Sequence, residues 1–207
     1  DVASVADLAG KTIYATGKGT TPEYALNYVL RQNGLEPGTD VTVEYYSEAT
    51  EVLGALQNAE GPAVAMLPQP YVTTAQMQME NLSVALNLTE EWDKVSPDSA
   101  LVTGVTLVRT EFAQEHPEAV EAFLQEYQTS VEWVNANTAD AAQLVADYGI
   151  VPKAEVAEKA LPACNIVYIA GDEMKADLSG YLQVLYDADA APVGGAMPGD
   201  DFYYGAA

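Results

Sequence analysis

Residues 12–70 repeat one pattern three times: a short β-prone run, a polar corner bearing glycine or proline, then a helix-start signal. The first unit opens with Thr12-Ile13-Tyr14-Ala15 and turns through Thr16-Gly17-Lys18-Gly19-Thr20. Thr21 then suits a helix cap and Pro22 a first helical position, and Gly34 ends the helix. The second unit runs from residues 41–46 through Ser47-Glu48-Ala49-Thr50 into a helix with Val52, Leu53 and Leu56 on one face. The third is a buried run at residues 63–67, broken by Pro68-Gln69-Pro70 and followed by a short helix through Met77. A fourth strand is expected at residues 83–86. Strands that alternate with helices join by right-handed crossovers, so the chain is α/β, with a mostly parallel sheet flanked by helices.

Outside those units the signals are of two kinds. Ser4 and Asp7 fit a capping box, with Gly10 closing a very short helix. After residues 101–108, which read as one more strand, helices dominate. Val120, Phe123, Leu124, Tyr127, Val131 and Val134 form one apolar stripe. Thr138 caps a helix ending at Gly149, with Leu144, Val145 and Tyr148 inward. Pro152 opens another, stopped by Pro162, and residues 165–169 are extended. Met174, Leu178, Tyr181, Leu182 and Leu185 mark a last helix. The expected organisation is an α/β unit at residues 1–99, a return strand and helical C-terminal part at 100–186, and an irregular Gly- and Pro-rich acidic tail at 187–207.

Composition removes several function classes. Eight Lys and Arg against 31 Asp and Glu give a net charge of −23, which opposes nucleic acid and anionic membrane surfaces. A single Cys, Cys164, forms no intrachain disulfide. A single His, His116, reads as part of an exposed helix start, so zinc held by His and Cys lacks ligands and a Ser-His-Asp device has no well-placed base. The carboxylate pairs Glu90-Glu91 and Asp200-Asp201 fall in loop-like segments and read as solvated surface. No catalytic residue, metal or cofactor is expected. No apolar run is long enough for a membrane span, and the opening Asp1-Val2-Ala3-Ser4 is not a signal peptide.

In an open parallel sheet, ligands bind at the carboxyl ends of the strands. Three corners lie there. The first offers Gly17, Lys18, Gly19, Thr20 and Thr21; the second Glu48 and Thr50; the third Gln69. Hydroxyls, an amide, free N–H groups, one Lys and one Glu suit hydrogen-bonding to a small polar or anionic molecule. The same residues also fit plain structural roles: a tight turn at Gly17 and Gly19, helix caps at Thr21 and Thr50, strand termination at Pro68 and Pro70. The Gly-x-Gly lacks the third glycine of a dinucleotide fingerprint and the Gly-Lys-Ser/Thr of a phosphate loop. The 13 tyrosines fall mostly on apolar helix faces, which favours core packing over a ring-binding site.

The stretch SVADLAGKTIYATGKGTTPEYALNYVLRQNGLEP resembles the second lobe of extracytoplasmic solute-binding proteins of ABC importers, in the nitrate, sulfonate, taurine and thiamine-pyrimidine-precursor group. Ser4, Asp7, Leu8, Gly10, Lys11 and Ile13 carry the match. A second motif follows in Val108, Arg109, Phe112, His116, Pro117, Glu118, Val120, Phe123 and Leu124. The resemblance implies one lobe of a type II periplasmic-binding-protein fold, a small-molecule solute trapped between two lobes, delivery to an ABC permease, and an extracytoplasmic, lipid-anchored or periplasmic location. It also implies a preceding first lobe that this chain lacks, as in a truncated piece. On that expectation the stripe at residues 120–134 and the helix with Leu178, Tyr181 and Leu185 should cover a first-lobe sheet, and without it should favour self-association that strengthens with salt. The alternatives are a pyrimidine-synthase type of enzyme and a ligand-sensor domain.

Overall fold

A computed structural model describes residues 2–206; Asp1 and Ala207, the outer ends of the first and last expected segments, lie outside it. A 3-10 turn at Val5–Leu8 precedes β1 (Thr12–Thr16), α1 (Thr21–Gln32), β2 (Thr42–Tyr46), α2 (Ala49–Gln57), β3 (Val64–Ala65), α3 (Tyr71–Gln78) and α4 (Leu88–Val95). The second half holds α5 (Thr110–Glu115), α6 (Pro117–Ala136), α7 (Thr138–Asp147), α8 (Ala154–Ala160) and α9 (Gly171–Ala188). The strands form one parallel sheet in the order β2-β1-β3, with Thr12 opposite Thr42 and Ile13 opposite Val64. This is the α/β architecture the sequence pattern requires.

The entry turn forms as its residues dictate. The Asp7 carboxylate accepts from the backbone N–H of Ala3 and Ser4 and from the Ser4 hydroxyl, at 2.8–3.0 Å. Those three donors hold its pKa below the ordinary carboxylate value. The main core lies between the sheet and α1, where Ile13, Leu26, Val29, Leu30 and Val41 meet the fully buried Trp92 of α4. The Trp92 ring lies 4.8 Å from Tyr28 and 5.6 Å from Tyr181, and its Nε1–H donates to Ser99 Oγ at 3.0 Å.

The structure corrects several expectations. Residues 83–86 and 101–108 form no strand, and Leu107 is 78% exposed. β-Propensity alone does not make a strand; a ladder needs a neighbour offering N–H and C=O groups, and among the described residues these runs have none. β3 is two residues long and half-buried rather than a buried run of five. Thr20, not Thr21, caps α1, and Asn137 rather than Thr138 stands before α7. The buried residues of α7 are Ala141 and Ala142, which allow close approach of α8; Leu144 faces out and Tyr148 is 79% exposed. On α6 only Val120 and Val131 are buried. Phe123 and Tyr127 lie at the surface and stack on each other at 5.8 Å. The last helix does not cover a separate sheet: Tyr181 and Leu185 complete the core around Trp92. The tail beyond α9 is irregular apart from two 3-10 turns, and it is fastened by a Lys175–Asp200 ion pair and a buried Tyr203.

Candidate functional site

All three strands run the same way, so all three corners open at one end of the sheet. With the order β2-β1-β3, the connection from β1 leads to one side and the next returns across β1 to the other. The switch point, where ligands enter such sheets, therefore lies between β1 and β3. Gly17, Lys18, Gly19, Thr20 and Thr21 border it on one side and Gln69 on the other. Glu48 and Thr50 follow the edge strand β2, with β1 between them and the Gln69 corner.

The first corner is the most constrained. Gly17 and Gly19 both have positive φ, 81° and 75°. A Cβ on Gly17 would stand 2.9 Å from Pro22 Cγ and from Thr20 Oγ1, whereas one on Gly19 would meet nothing within 4 Å. The first glycine is thus required by packing and the second by backbone conformation alone. The Thr20 hydroxyl donates to the Gly17 carbonyl at 2.7 Å, which closes the loop onto the start of α1. The Gly19 N–H is taken by the Glu23 carboxylate, one turn into the helix. Lys18 is exposed and lines a groove of about 280 Å³ along α1 and β2, together with Glu23, Asn27, Arg31 and Tyr45. That groove lies on the β2 side of α1.

At the second corner Glu48 caps α2 and is exposed, and Glu51 accepts the N–H groups of Ser47 and Glu48, both at 3.0 Å. Thr50 is exposed in the first turn. At the third, the Gln69–Pro70 bond is cis and α3 follows directly from Tyr71. The Gln69 side-chain oxygen accepts from the Thr73 hydroxyl at 2.9 Å and from its N–H at 3.3 Å. Those bonds use the oxygen of Gln69 and not its amide NH₂.

Sequence reasoning missed the side chains that flank the first turn of α1. The Tyr45 hydroxyl is buried without a hydrogen-bond partner and lies beside Glu23; burial first, and that carboxylate second, push its pKa up. The Tyr181 hydroxyl, from α9, is likewise buried and unpartnered, with Thr21 as its neighbour. The Gly19-to-Glu23 spacing, one helical turn at a helix start, was a visible signal; the two tyrosines left none. His116 sits exposed at the junction of α5 and α6, its ring 5.0 Å from that of Phe112. Among the described residues no group of His, Cys, Asp and Glu is gathered to hold a metal, and no helix is long and apolar enough to cross a membrane.

The profile of a family described as the substrate-binding domain of the ABC-type glycine betaine transport system, OpuAC, matches residues 1–163. The chain belongs to this family. It is a family of substrate-binding domains. Comparison with curated proteins gives no match. An ABC transporter structure from Parabacteroides distasonis superposes with a TM-score of 0.77 at 22% identity, covering 93% of this chain. The alkanesulfonate-binding protein SsuA from Xanthomonas axonopodis pv. citri, bound to MOPS, gives a TM-score of 0.52 at 17% identity over 100% of the chain. Both likenesses support the periplasmic-binding-protein type of fold. The chain spans 65% of the length of each of these two structures.

Proposed function

We propose that this chain is the solute-binding component of an ABC importer, that it works outside the cytoplasm, and that it hands its solute to a membrane permease. The observation that carries the reading is the convergence of the α1, α2 and α3 N-termini at the carboxyl end of a parallel sheet, with the glycine loop and the Gln69 amide on either side of its switch point. Helix N-termini present N–H groups and partial positive charge, so the bound group is an oxyanion. Glycine betaine, named in the family description, carries a carboxylate, and the solute of the alkanesulfonate-binding neighbour carries a sulfonate. The shared head group is what the site residues Gly17, Lys18, Gly19, Thr20, Thr21 and Gln69 are suited to receive, with Glu48 and Thr50 at the rim. Capture and release would follow from closure around the solute.

Isothermal titration calorimetry with glycine betaine, taurine, ethanesulfonate, nitrate and a hydroxymethylpyrimidine tests this. Saturable binding of an oxyanion-bearing solute, lost in Gly19→Val, where a Cβ meets no protein atom within 4 Å, and weakened in Gln69→Ala, is the expected result. Tight binding of the uncharged pyrimidine alone, or of none of the five, would overturn it. The surface apolar side chains Phe123, Tyr127 and Leu144 support self-association as a second property, with like charge opposing it at low salt. Sedimentation across a salt series should then show dimer growing with ionic strength.

A further inference from the structure

Among the described residues, the buried side-chain polar atoms left without a partner are the hydroxyls of Tyr45 and Tyr181. Both flank the same turn of the same helix. Tyr181, only 4% exposed, reaches Thr21 from α9, and Tyr45 reaches Glu23 from β2. A buried hydroxyl without a partner is costly, so the Tyr45 O–H, in the same groove as Glu23, is a donor placed to receive that carboxylate if it moves. Meanwhile the donor that a solute's oxyanion would want, the Gly19 N–H, is already held by the Glu23 carboxylate.

We propose that Glu23 is a built-in competitor for the solute: its carboxylate fills the Gly19 N–H until an oxyanion displaces it, and it then moves onto the Tyr45 hydroxyl. This rests on the reading that an oxyanion binds at the first corner, and it adds a residue that sets affinity there. The exchange conserves hydrogen bonds. Gly19 N–H passes from Glu23 to the solute, and Glu23 gains the phenolic O–H that nothing else uses. Lys18 lines the same groove as Glu23 and Tyr45, so the displaced charge also finds an ammonium nearby. The device would raise selectivity, because only a ligand that accepts better than a tethered carboxylate releases Glu23. A neutral or weakly accepting solute leaves the loop closed on itself.

The test is a double-mutant cycle on the full chain with ethanesulfonate and glycine betaine as probes, read by calorimetry. Glu23→Ala removes the competitor and should tighten binding by about tenfold, the scale of one charge-assisted hydrogen bond. Tyr45→Phe removes the receiving hydroxyl and should weaken binding about fivefold when Glu23 is present and leave it unchanged in Glu23→Ala. Loss of a negative charge alone would also favour an anion, but it predicts the same effect of Tyr45→Phe in both backgrounds, and that result overturns the exchange. Glu23→Gln, which keeps the shape of the turn, serves as the second variant, with the Gly19 amide resonance as its readout. The substitution should move that amide in the free protein, where a neutral amide replaces the carboxylate, and saturation with ethanesulfonate should bring parent and Glu23→Gln to the same bound position; an amide unmoved by the substitution, or two different bound positions, counts against the proposal. If neither probe binds the parent or Glu23→Ala, the oxyanion reading itself fails. If both bind equally, only the competition does.

Discussion

Gly180 lies in the interior of α9, where an alanine is ordinarily favourable by about 1 kcal/mol through helix propensity. Here the sign reverses. A Cβ at Gly180 would stand 2.5 Å from Ser99 Cβ, 3.1 Å from the Asp98 carbonyl oxygen and 3.3 Å from Ser99 Cα. Those atoms belong to the turn after α4, and two of them are backbone, so the strain is not relieved by a side-chain rotation. Ser99 Oγ accepts the Trp92 Nε1–H and lies 2.8 Å from Ser96 Oγ, so pushing this turn away also loosens a buried hydrogen bond. Overpacking costs about 1–3 kcal/mol and the weakened bond about 1 kcal/mol; less the propensity gain, Gly180→Ala should destabilise by about 1–3 kcal/mol. Urea unfolding followed by Trp92 fluorescence, in a Trp133→Phe background that leaves one of the two tryptophans, gives the number. Gly54→Ala in α2, where a Cβ meets nothing within 4 Å, is the control and should gain up to about 1 kcal/mol. If Gly180→Ala unfolds at or above the parent's urea midpoint, α9 does not seat against the Trp92 core as described.

Three further outcomes follow from the same geometry. Gly17→Ala should lower the melting temperature more than Gly19→Ala, because only the first adds a collision with Pro22 and Thr20 to the left-handed strain. Tyr181→Phe should leave stability at neutral pH unchanged or higher and should resist alkaline unfolding better than the parent. Burial raises the folded-state pKa of that phenol above 10.0, so its contribution is intact below the unfolded value and is lost as pH climbs above it. For Asp7 the folded pKa is lowered below 3.8, so its contribution is present above the carboxylate range and disappears as pH falls through it. Asp7→Asn should accordingly be less stable than the parent at pH 7, with the difference vanishing in acid titrations followed by circular dichroism.

The parts of the fold that could be read from the sequence are those set by local chemistry. Thr, Pro and Gly at residues 16–22 announce a loop entering a helix, and Gly34 announces its end, because caps and positive φ are decided within a turn of chain. The run at residues 101–108 has equally good β-propensity and yet forms no strand, since pairing depends on a neighbour that propensity does not name. The stripe of α9 correctly announced an apolar face, but an apolar face does not specify which core it joins; Tyr181 and Leu185 meet Trp92, a residue that carried no signal of its own. The site divides the same way. Its glycines and hydroxyls were legible as a corner at the end of a strand, whereas Tyr45 and Tyr181 reach that corner from elements distant in sequence.

The proposed oxyanion site, on so acidic a chain, has a consequence for its salt dependence. The net charge is −23, and of the eight basic side chains Arg31, Lys94, Lys159 and Lys175 are engaged in ion pairs with acidic neighbours. The long-range field therefore repels the proposed solute, and attraction comes from the N–H groups and helix ends within hydrogen-bonding distance. Salt screens these two contributions unequally. At an ionic strength of 0.15 M the Debye length is about 8 Å, so repulsion from distant carboxylates is largely removed while contacts at about 3 Å are barely affected. Affinity for an anionic probe such as ethanesulfonate should consequently rise between low and physiological salt, the reverse of what a lysine-lined anion site shows. A zwitterion such as glycine betaine carries no net charge and should bind almost independently of salt over the same range. Calorimetry at several concentrations of a weakly coordinating salt would show this, and an ethanesulfonate affinity that falls steadily with salt would mean that Lys18, and not the backbone of the glycine loop, supplies the attraction.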